Sequence, residues 1–439
     1  MEIAQTLLQL IIVLAILASG CGTKNDRSPG KVTITFWHSF VSATVPAFDE
    51  LLKEFEKQHP TIEVRAQYVP TGDALLQKLI TAVQSRSAPD ISWIHSNYLQ
   101  NLVEADAIYP MDEFTKGPNG LSAEELNDLY PALLQGSAWR GTVYSMPMEA
   151  TNLGLMFNKQ MFRDAGLDPE RGPGTWDELY AYAKKLTVDK DHDGKIDQYG
   201  FFIPIFPASG PLGDWMVWQW YPFLWQAGGY EIDSGQTHLL LNGDAGVKAL
   251  SFWKKIYDDL NLRSVTADYD AAFAGKKLAM AMDGPWNLPR YEKLKELDWA
   301  AAPLPAGPAK RATVVGGEYL VIFKQSEHPS EAWTLIKWLL DPEVQALWSE
   351  KSGYLPVRHS VLQVKEYQEF LKKKPGLRAF VEQMEVGQAT RPIDYHGLEI
   401  SRNLAVAIEK ATVGGLDPKN VLDEAAAASD QLLRQTAKR

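Results

Sequence analysis

The stretch "KVTITFWHSFVSATVPAFDELLKEFEKQHPTIEVRAQYV", residues 31–69, contains two strand-like runs with a helical pattern between them. "KVTITFW" and "IEVRAQYV" are rich in β-branched and aromatic residues, and apolar residues alternate in the first run. Between them, an apolar helical face is formed by Phe48, Leu51, Leu52 and Phe55. Pro60 follows the end of this helix. This order predicts two parallel strands joined by a crossover helix.

The same alternation continues along the chain. "GDALLQKLITAVQSRS" has a helical apolar stripe, and "DISWIH" follows it as a third strand. Further on, "NLGLMFN" is strand-like and "TWDELYAYAKKLT" is helical. Thr175 with Glu178 three residues later predicts a capping box at the start of that helix. The pattern predicts an α/β, doubly wound fold, and 439 residues suggest two or three domains.

The overall composition is ordinary for a folded soluble protein. Hydrophobic residues make up 45% and charged residues 23% of the chain, which argues against disorder. With 44 basic and 55 acidic residues, the net charge of −11 argues against nucleic acid as a partner. The 14 Trp residues are a surplus, and this surplus suits faces that stack on flat or sugar-like ligands.

The N-terminus predicts export. "LLQLIIVLAILASGC" is an apolar run that ends in small residues, which is typical of a signal peptide over residues 1–20. Cys21, the single cysteine, directly follows and resembles a lipobox cysteine that would carry a lipid anchor. Residues 21–30 would then form a tether. Ala18 and a start without Lys or Arg depart from the lipobox pattern, so an ordinary signal with a chance cysteine stays an alternative.

Enzyme signatures are scarce in this sequence. It has no Walker-type phosphate loop, no G-x-S-x-G elbow and no H-E-x-x-H motif. A pair of catalytic carboxylates stays open, because such pairs are set by geometry rather than by spacing. Binding is therefore favoured over turnover, with a secreted carbohydrate-active enzyme as the competing hypothesis.

Six blocks, in order, resemble the extracellular solute-binding proteins of family 1, which serve bacterial ABC importers for sugars and glycerol phosphates. The longest block is residues 144–187, with an N-K-x-x-F-x-x-A-G-L run followed by T-W-D-E-L. The other five blocks are "ITFWHSF", "SAPDISWIHS", "AMAMDGPWNL", "GGEYLVIF" and "SGYLPVR". The resemblance covers nearly the whole chain after the signal peptide.

This resemblance implies two doubly wound α/β lobes joined by a hinge, as in type II periplasmic binding proteins. Lobe one would comprise residues 31–147 and 320–353, and lobe two residues 150–318 and 357–439. It also implies a monomer that is anchored to the membrane through Cys21, on its periplasmic or outer face. The partners would be a small ligand and the permease subunits of the importer.

Ligands of such folds bind beyond the carboxyl ends of strands, at the crossing points between lobes. We therefore expect the ligand site to draw on loops near the predicted strands. The candidates are Trp37, His38, Ser39, Ser96, Asn97, Glu149, Asn152, Trp215, Trp218, Asp283, Trp286, Gly317, Glu318 and Tyr354, with Gly316 beside them for close backbone approach. Each could instead have a structural role, such as core packing or bracing of the hinge.

The nature of the ligand rests on two opposing signals. "GDWMVWQWYPFLWQAGG", residues 213–229, follows no single helical stripe, and its Trp residues together with acidic candidates favour a neutral sugar. Arg391 is a further candidate, because a cation in the cleft would favour a glycerol phosphate or its diester. A salt bridge at Arg391 is the competing interpretation.

"DKDHDGKIDQYG", residues 189–200, resembles a calcium loop through Asp189, Asp191, Asp193 and Asp197. The twelfth position, where a bidentate Glu is needed, is Gly200. We therefore predict no cofactor and a surface turn held by Asp side chains, with Gly194 at a positive φ. A structural calcium ion, or a calcium-regulated adhesin, is the weaker alternative.

Overall fold

The computed structural model describes residues 30–42, 44–70, 73–210, 212–234, 237–262, 268–389 and 397–436. The predicted signal peptide, Cys21 and Arg391 lie outside these residues. The strands are β1 Val32–His38, β2 Ile62–Tyr68, β3 Ile91–His95, β4 Ala138–Trp139, β5 Thr142–Val143, β6 Met146–Asn152, β7 Gly154–Asn158, β8 Tyr199–Phe201, β9 Leu278–Asp283, β10 Trp299–Pro303, β11 Thr313–Ile322 and β12 Gly387–Gln388.

The helices alternate with these strands. They are α1 Val45–Gln58, α2 Asp73–Gln84, α3 Leu99–Glu104, α4 Asp112–Thr115, α5 Ala123–Asn127, α6 Pro131–Gly136, α7 Lys159–Asp164, α8 Trp176–Leu186, α9 Gly213–Gln226, α10 Asp244–Asp259, α11 Tyr269–Ala274, α12 Leu288–Tyr291, α13 Pro329–Leu339, α14 Pro342–Ser352, α15 Lys365–Lys373, α16 Pro375–Gln383, α17 Gly397–Thr412 and α18 Pro418–Thr436.

The strands form two main sheets. The first has the order β12-β11-β3-β1-β2, with β6 also paired to β11, and the second has the order β10-β7-β9-β8. β1 runs parallel to β2, as the opening stretch predicts, and it also runs parallel to β3. β11 is antiparallel to both β3 and β6, so the sheet is mixed rather than wholly parallel. The antiparallel strands are those that carry the chain between the sheets.

The chain passes between the sheets at two described strand pairs. β6 belongs to the first sheet, and β7 begins in the second sheet after Leu153 alone. The return runs from β10 in the second sheet to β11 in the first. Two large hydrophobic clusters fill the molecule: one surrounds the first sheet and also includes Met156 and Ala281 of the second sheet, and the other packs on the second sheet through residues such as Met280. β6 and β11 pair with each other, and both belong to the first sheet over their whole length. The predicted lobe limits at 147–150 and 318–320 fall inside these two strands, and these limits stay a prediction.

Local sequence accounts for much of this structure. The predicted face of α1, formed by Phe48, Leu51, Leu52 and Phe55, is buried. At α8, Thr175 Oγ1 accepts a hydrogen bond from Glu178 N at 3.2 Å, which is the first half of the predicted capping box. The second half differs, because Glu178 Oε2 accepts from Gly174 N at 2.6 Å instead of from the cap residue.

The tryptophan-rich segment forms helix α9. Eleven of its 14 residues are buried, on all sides of the helix, and Pro222 lies inside it. A helix that is apolar all round is buried in a large core, which explains why its sequence shows no single apolar stripe. Among the described residues, no helix combines the length and the apolarity that a bilayer crossing requires.

Candidate functional site

Three tryptophans form an aromatic surface on the second lobe, which we call the tryptophan cluster: Trp215, Trp218 and Trp286. Trp215 and Trp218 lie one turn apart on α9, and their rings stack at 5.0 Å between centroids with a 19° interplanar angle. Trp286 follows β9 and approaches Trp215 at 5.6 Å, edge to face. All three are partly exposed. In contrast, Trp220 and Trp225 of α9 are fully buried in the core.

The tryptophan cluster meets strand β11 of the first sheet at Gly316. A Cβ atom at this position would lie 3.0 Å from Trp218 Cζ2 and 3.4 Å from Thr151 Cγ2. Only glycine therefore lets the indole lie against the strand without displacement of a neighbour. The predicted close approach at Gly316 is present, and the approaching group is Trp218 of the protein itself.

A hydrogen bond joins the two lobes beside the cluster. Asn97, in the 3-10 turn Ser96–Tyr98 after β3, donates through Nδ2 to Asp214 Oδ2 at 3.3 Å. Ser401 of α17 donates to the other oxygen, Asp214 Oδ1. Asp214 lies in the first turn of α9, where a negative charge interacts favourably with the helix dipole. Asp214 and Ser401 are site residues that were not predicted, although Asp214 is adjacent to Trp215.

Two buried glutamates occupy the crossing strands. Glu149 on β6 and Glu318 on β11 are directly opposite in the strand register. Glu149 is fully buried, and its Oε2 accepts a hydrogen bond from Trp348 Nε1 at 2.7 Å. Burial, followed by the charge of Glu318, raises the pKa of Glu149 well above its usual value. Burial raises the pKa of Glu318 to about 7.

Gly317 allows this close pairing of β6 and β11. A Cβ atom there would lie 2.6 Å from the carbonyl oxygen of Glu149 and 2.9 Å from Leu133 Cδ2. Tyr354, also predicted, is buried near the pair, and its pKa is raised by burial and by the charges of Glu149 and Glu318. Gly317 and Tyr354 therefore belong to the surroundings of the glutamate pair.

Asp283 holds the turn that carries Trp286. Its Oδ1 accepts from Gly284 N at 2.8 Å, and its Oδ2 accepts from Tyr291 OH at 2.7 Å. Asn287 Nδ2 donates to both oxygens, at 3.1 and 2.9 Å. Because Asp283 is fully buried and its acceptor sites are occupied, the structure gives it a positioning role in place of the predicted ligand acceptor.

Three other predicted residues are engaged within the protein. Ser39 Oγ donates to the carbonyl oxygen of Val69 at 2.6 Å. Asn152 is fully buried and donates to the carbonyl oxygen of Phe380 at 2.8 Å. His38 is buried between aromatic rings, and this burial lowers its pKa to about 4, so the ring is neutral at neutral pH. These contacts stabilise lobe one and the hinge.

Trp37 and Ser96 complete the predicted set in lobe one. Trp37 is partly buried, with Lys78 Nζ 4.4 Å from its ring centroid, a cation–π arrangement. Ser96 starts the 3-10 turn that presents Asn97.

A separate cavity of about 350 Å³ lies between α6, the region after α9 and β12. Gln135, Tyr230 and Gln388 are among the residues that line it.

The Asp-rich turn is held by its own backbone. Gly194 N donates to Asp189 Oδ2 at 2.9 Å, and Lys190 N donates to Asp197 Oδ2 at 2.7 Å. Gly194 has φ 86°, as predicted. Oxygens of Asp189, Asp191 and Asp197 lie within 4.8 Å of one another, so these three could hold a calcium ion, whereas Asp193 is not part of this group. No bidentate ligand occupies the twelfth position, Gly200, which donates its N–H to Thr187 Oγ1.

Comparison with known proteins identifies the family. Residues 50–379, more than half of the chain, match the model of the bacterial extracellular solute-binding proteins. The chain belongs to that family. The predicted resemblance and the type II, two-lobed α/β fold class are thereby confirmed.

Relatives of this solute-binding protein span nearly its full length. The sn-glycerol-3-phosphate-binding periplasmic protein UgpB of Escherichia coli K12 is 24% identical over 92% of this chain and 93% of its own. A cyclic α-maltosyl-1,6-maltose binding protein from Arthrobacter globiformis is 28% identical, covers 92% of this chain and 100% of its own, and has a TM-score of 0.79. An ABC transporter solute-binding protein from Thermotoga lettingae, bound with α-D-tagatose, is 26% identical over 91% and 99%, with a TM-score of 0.77.

Proposed function

We propose that this solute-binding protein captures a carbohydrate between its lobes and delivers it to the permease of an ABC importer. The observation that carries the proposal is the tryptophan cluster, whose partly exposed indoles lie against β11 beside the polar Asn97 and Asp214. A sugar ring stacks its C–H face on indole and directs its hydroxyls to such polar groups. The named carbohydrate-binding relatives support the same ligand class.

Capture would use a hinge equilibrium. A ligand that contacts both the tryptophan cluster and lobe one favours the closed arrangement, because only that arrangement offers both surfaces. The closed, loaded protein would then be the form that the permease recognises.

The main alternative ligand is a glycerol phosphate or its diester, which the relation to the E. coli protein supports. Asp214, an exposed carboxylate beside the cluster, opposes an anionic ligand through charge repulsion. Arg391, which would favour a phosphate, lies outside the described residues. The neutral sugar is therefore the proposal.

A thermal-shift screen distinguishes these ligands. Maltose, maltotriose, tagatose, glycerol 3-phosphate and glycerophosphocholine are tested separately, because a ligand that binds only the folded state raises the melting temperature. We expect a sugar to give the largest shift and Trp218→Ala to abolish it. Trp299→Ala, at a partly buried tryptophan on β10 outside the cluster, serves as the control. A shift by the phosphates alone would overturn the carbohydrate proposal.

A secreted carbohydrate-active enzyme is the second candidate function. The Glu149–Glu318 pair does not favour it, because the two carboxyls contact each other, whereas a glycosidase pair stands about 5 Å or more apart. A turnover assay on glycosides with wild type and Glu149→Gln tests this. Hydrolysis that the substitution abolishes would replace the binding proposal.

Lipid anchoring and a monomeric state are further parts of the proposal. If Cys21 carries a lipid, the expressed protein is recovered in the membrane fraction, and Cys21→Ser moves it to the soluble fraction. Light scattering after size exclusion is expected to give the mass of one chain. An unchanged distribution of the Cys21→Ser protein would overturn the anchor.

A further inference from the structure

The Glu149–Glu318 pair has buried carboxylate oxygens that accept no hydrogen bond of good geometry from the described residues around them. Glu149 Oε1 and Glu318 Oε2 are both buried, and neither accepts a hydrogen bond of good geometry among the described residues. The neutral indole of Trp93 on β3 also interacts with Glu149, and its own N–H has no bond of good geometry either. Glu149 Oε2 is already occupied by the indole N–H of Trp348. Two buried acceptor oxygens that face each other repel unless a donor lies between them. A single proton shared by the two carboxyls supplies that donor.

The neighbouring side chains described next are uncharged at neutral pH, so they do not neutralise the pair in place of this proton. On β3, His95 Nδ1 lies 3.8 Å from Glu318 Oε1, but loss of solvation lowers the pKa of His95 to about 4, so the ring is neutral at neutral pH. Tyr354 lies near both glutamates, and Tyr319 follows Glu318 on β11; the raised pKa values of these two tyrosines keep both phenols protonated. Trp348 of α14 contributes a neutral N–H donor.

The pair also lies next to the surface assigned to the ligand. Alternate residues of a strand point to the same face, so Glu318 shares its face of β11 with Gly316. Trp218 of the tryptophan cluster packs against Gly316. A ligand on the tryptophan cluster would therefore approach β11 beside Glu318 and its partner Glu149.

We propose that Glu149 and Glu318 hold one proton between them and thereby determine the charge of the ligand that the cleft accepts. With the proton in place, the pair has one negative charge instead of two, and a neutral hydroxylated ligand can approach it. Loss of the proton doubles the charge beside the ligand and separates the two carboxyls. Ligand capture and proton retention are then coupled, since each favours the same state of the pair. This inference rests on the proposed function.

The first test needs no ligand. Infrared difference spectra of the whole protein between about pH 6 and pH 9 are expected to show a protonated-carboxyl C=O band in wild type, because carboxyls with ordinary pKa values are ionised throughout that range. The band should be weaker in Glu318→Gln, where one carboxyl of the pair and the charge that adds to the raised pKa of Glu149 are both gone. Buried Asp283, whose pKa is raised to about 6, contributes to the band equally in both proteins. Glu327→Gln, at an exposed loop position of the first lobe, is the matched control and should keep the band.

Thermal unfolding provides a second, independent measurement. The folded pair retains a proton that the unfolded chain releases above its ordinary pKa of 4.5. The stability contribution of the pair is therefore present at low pH and decreases as pH rises from about 4.5 through about 7. Glu318→Gln should match wild type near pH 5 and melt several degrees higher near pH 8. An infrared band of equal strength in wild type and Glu318→Gln, together with parallel melting profiles, would overturn the proposal.

The ligand test uses the carbohydrate with the largest thermal shift. Its affinity for wild type should decrease about tenfold between about pH 6 and pH 8.5. A decrease of this size corresponds to a pKa of the pair that is about one unit higher with ligand bound than without it. Glu318→Gln should show a nearly constant affinity over the same range. Equal pH profiles for both proteins would overturn the ligand part of the proposal. If no carbohydrate binds at any pH while the infrared band is present, the proposed function fails and the shared proton stands.

Discussion

Single residues at the site act mainly by positioning the tryptophans of the cluster. Gly316 has no side chain, and this absence allows Trp218 to lie against β11. Asp283 contacts only its own turn, and through that turn it places Trp286. The residues that would touch a ligand thus depend on neighbours that would not.

Gly316→Ala tests the close approach of Trp218. The added methyl would lie 3.0 Å from the indole, so the ring must shift by a few tenths of an ångström and the stacking surface changes. We expect about a tenfold loss of affinity for the carbohydrate identified by thermal shift, about 1.4 kcal/mol, with little change in melting temperature. The measurement is isothermal titration calorimetry.

Gly397→Ala is the control for this prediction, because a Cβ there meets no atom within 4 Å. Equal affinities of the two alanine variants would show that Trp218 does not need to lie against the strand.

At the scale of elements, helix ends are set by short sequence motifs and helix interiors by the core. α8 begins after Thr175, where the hydroxyl accepts the N–H of Glu178 as predicted. α9 carries no such local signature at its start, and no side chain caps it. Its helical structure depends instead on burial in the second core.

Thr175→Ala removes the cap of α8. Loss of an N-cap side chain typically costs about 1 kcal/mol, so the free energy of unfolding should decrease by about that amount. Thr334→Ala, in the middle of α13, is the matched control, because its hydroxyl bonds only the carbonyl oxygen of Ser330 one turn earlier. Urea denaturation of both variants measures the difference, and equal costs would contradict a capping role.

At the scale of the whole molecule, the contact between lobes is polar as well as aromatic. Asn97 from lobe one bonds Asp214, which Ser401 also contacts within lobe two. This arrangement stabilises a direct contact between the lobes that needs no ligand. It therefore influences the affinity for ligand even where it makes no ligand contact.

Asp214→Ala should shift the hinge equilibrium toward the open form. A hydrogen bond to a charged group contributes up to about 1.5–3 kcal/mol, and less where the carboxylate is exposed, as here. Small-angle X-ray scattering of the ligand-free protein should give a larger radius of gyration for this variant than for wild type. Asp164→Ala, whose carboxylate bonds Gln160 within α7, should leave the radius unchanged.

Much of the fold and part of the site could be predicted from sequence. The strand–helix alternation, the buried face of α1, the cap of α8 and the positive φ of Gly194 follow from residues close together in the chain. Trp215, Trp218 and Trp286 were predicted as candidates, and they do form one surface. Asp283 was predicted as a ligand acceptor; in the structure it is buried within its own turn, and its donors surround it only after the turn at 284–287 and α12 fold.

The sequence by itself determined the family, through six ordered blocks, and with it the α/β class. Only the tertiary structure decided which tryptophans of α9 face the other lobe and which enter the core. It also decided that Glu149 and Glu318 are opposite each other, because 169 positions separate them in the chain (318 − 149) and only the β6–β11 register joins them. Local periodicity specifies the face of a helix or strand, but the partner of that face depends on packing between distant segments.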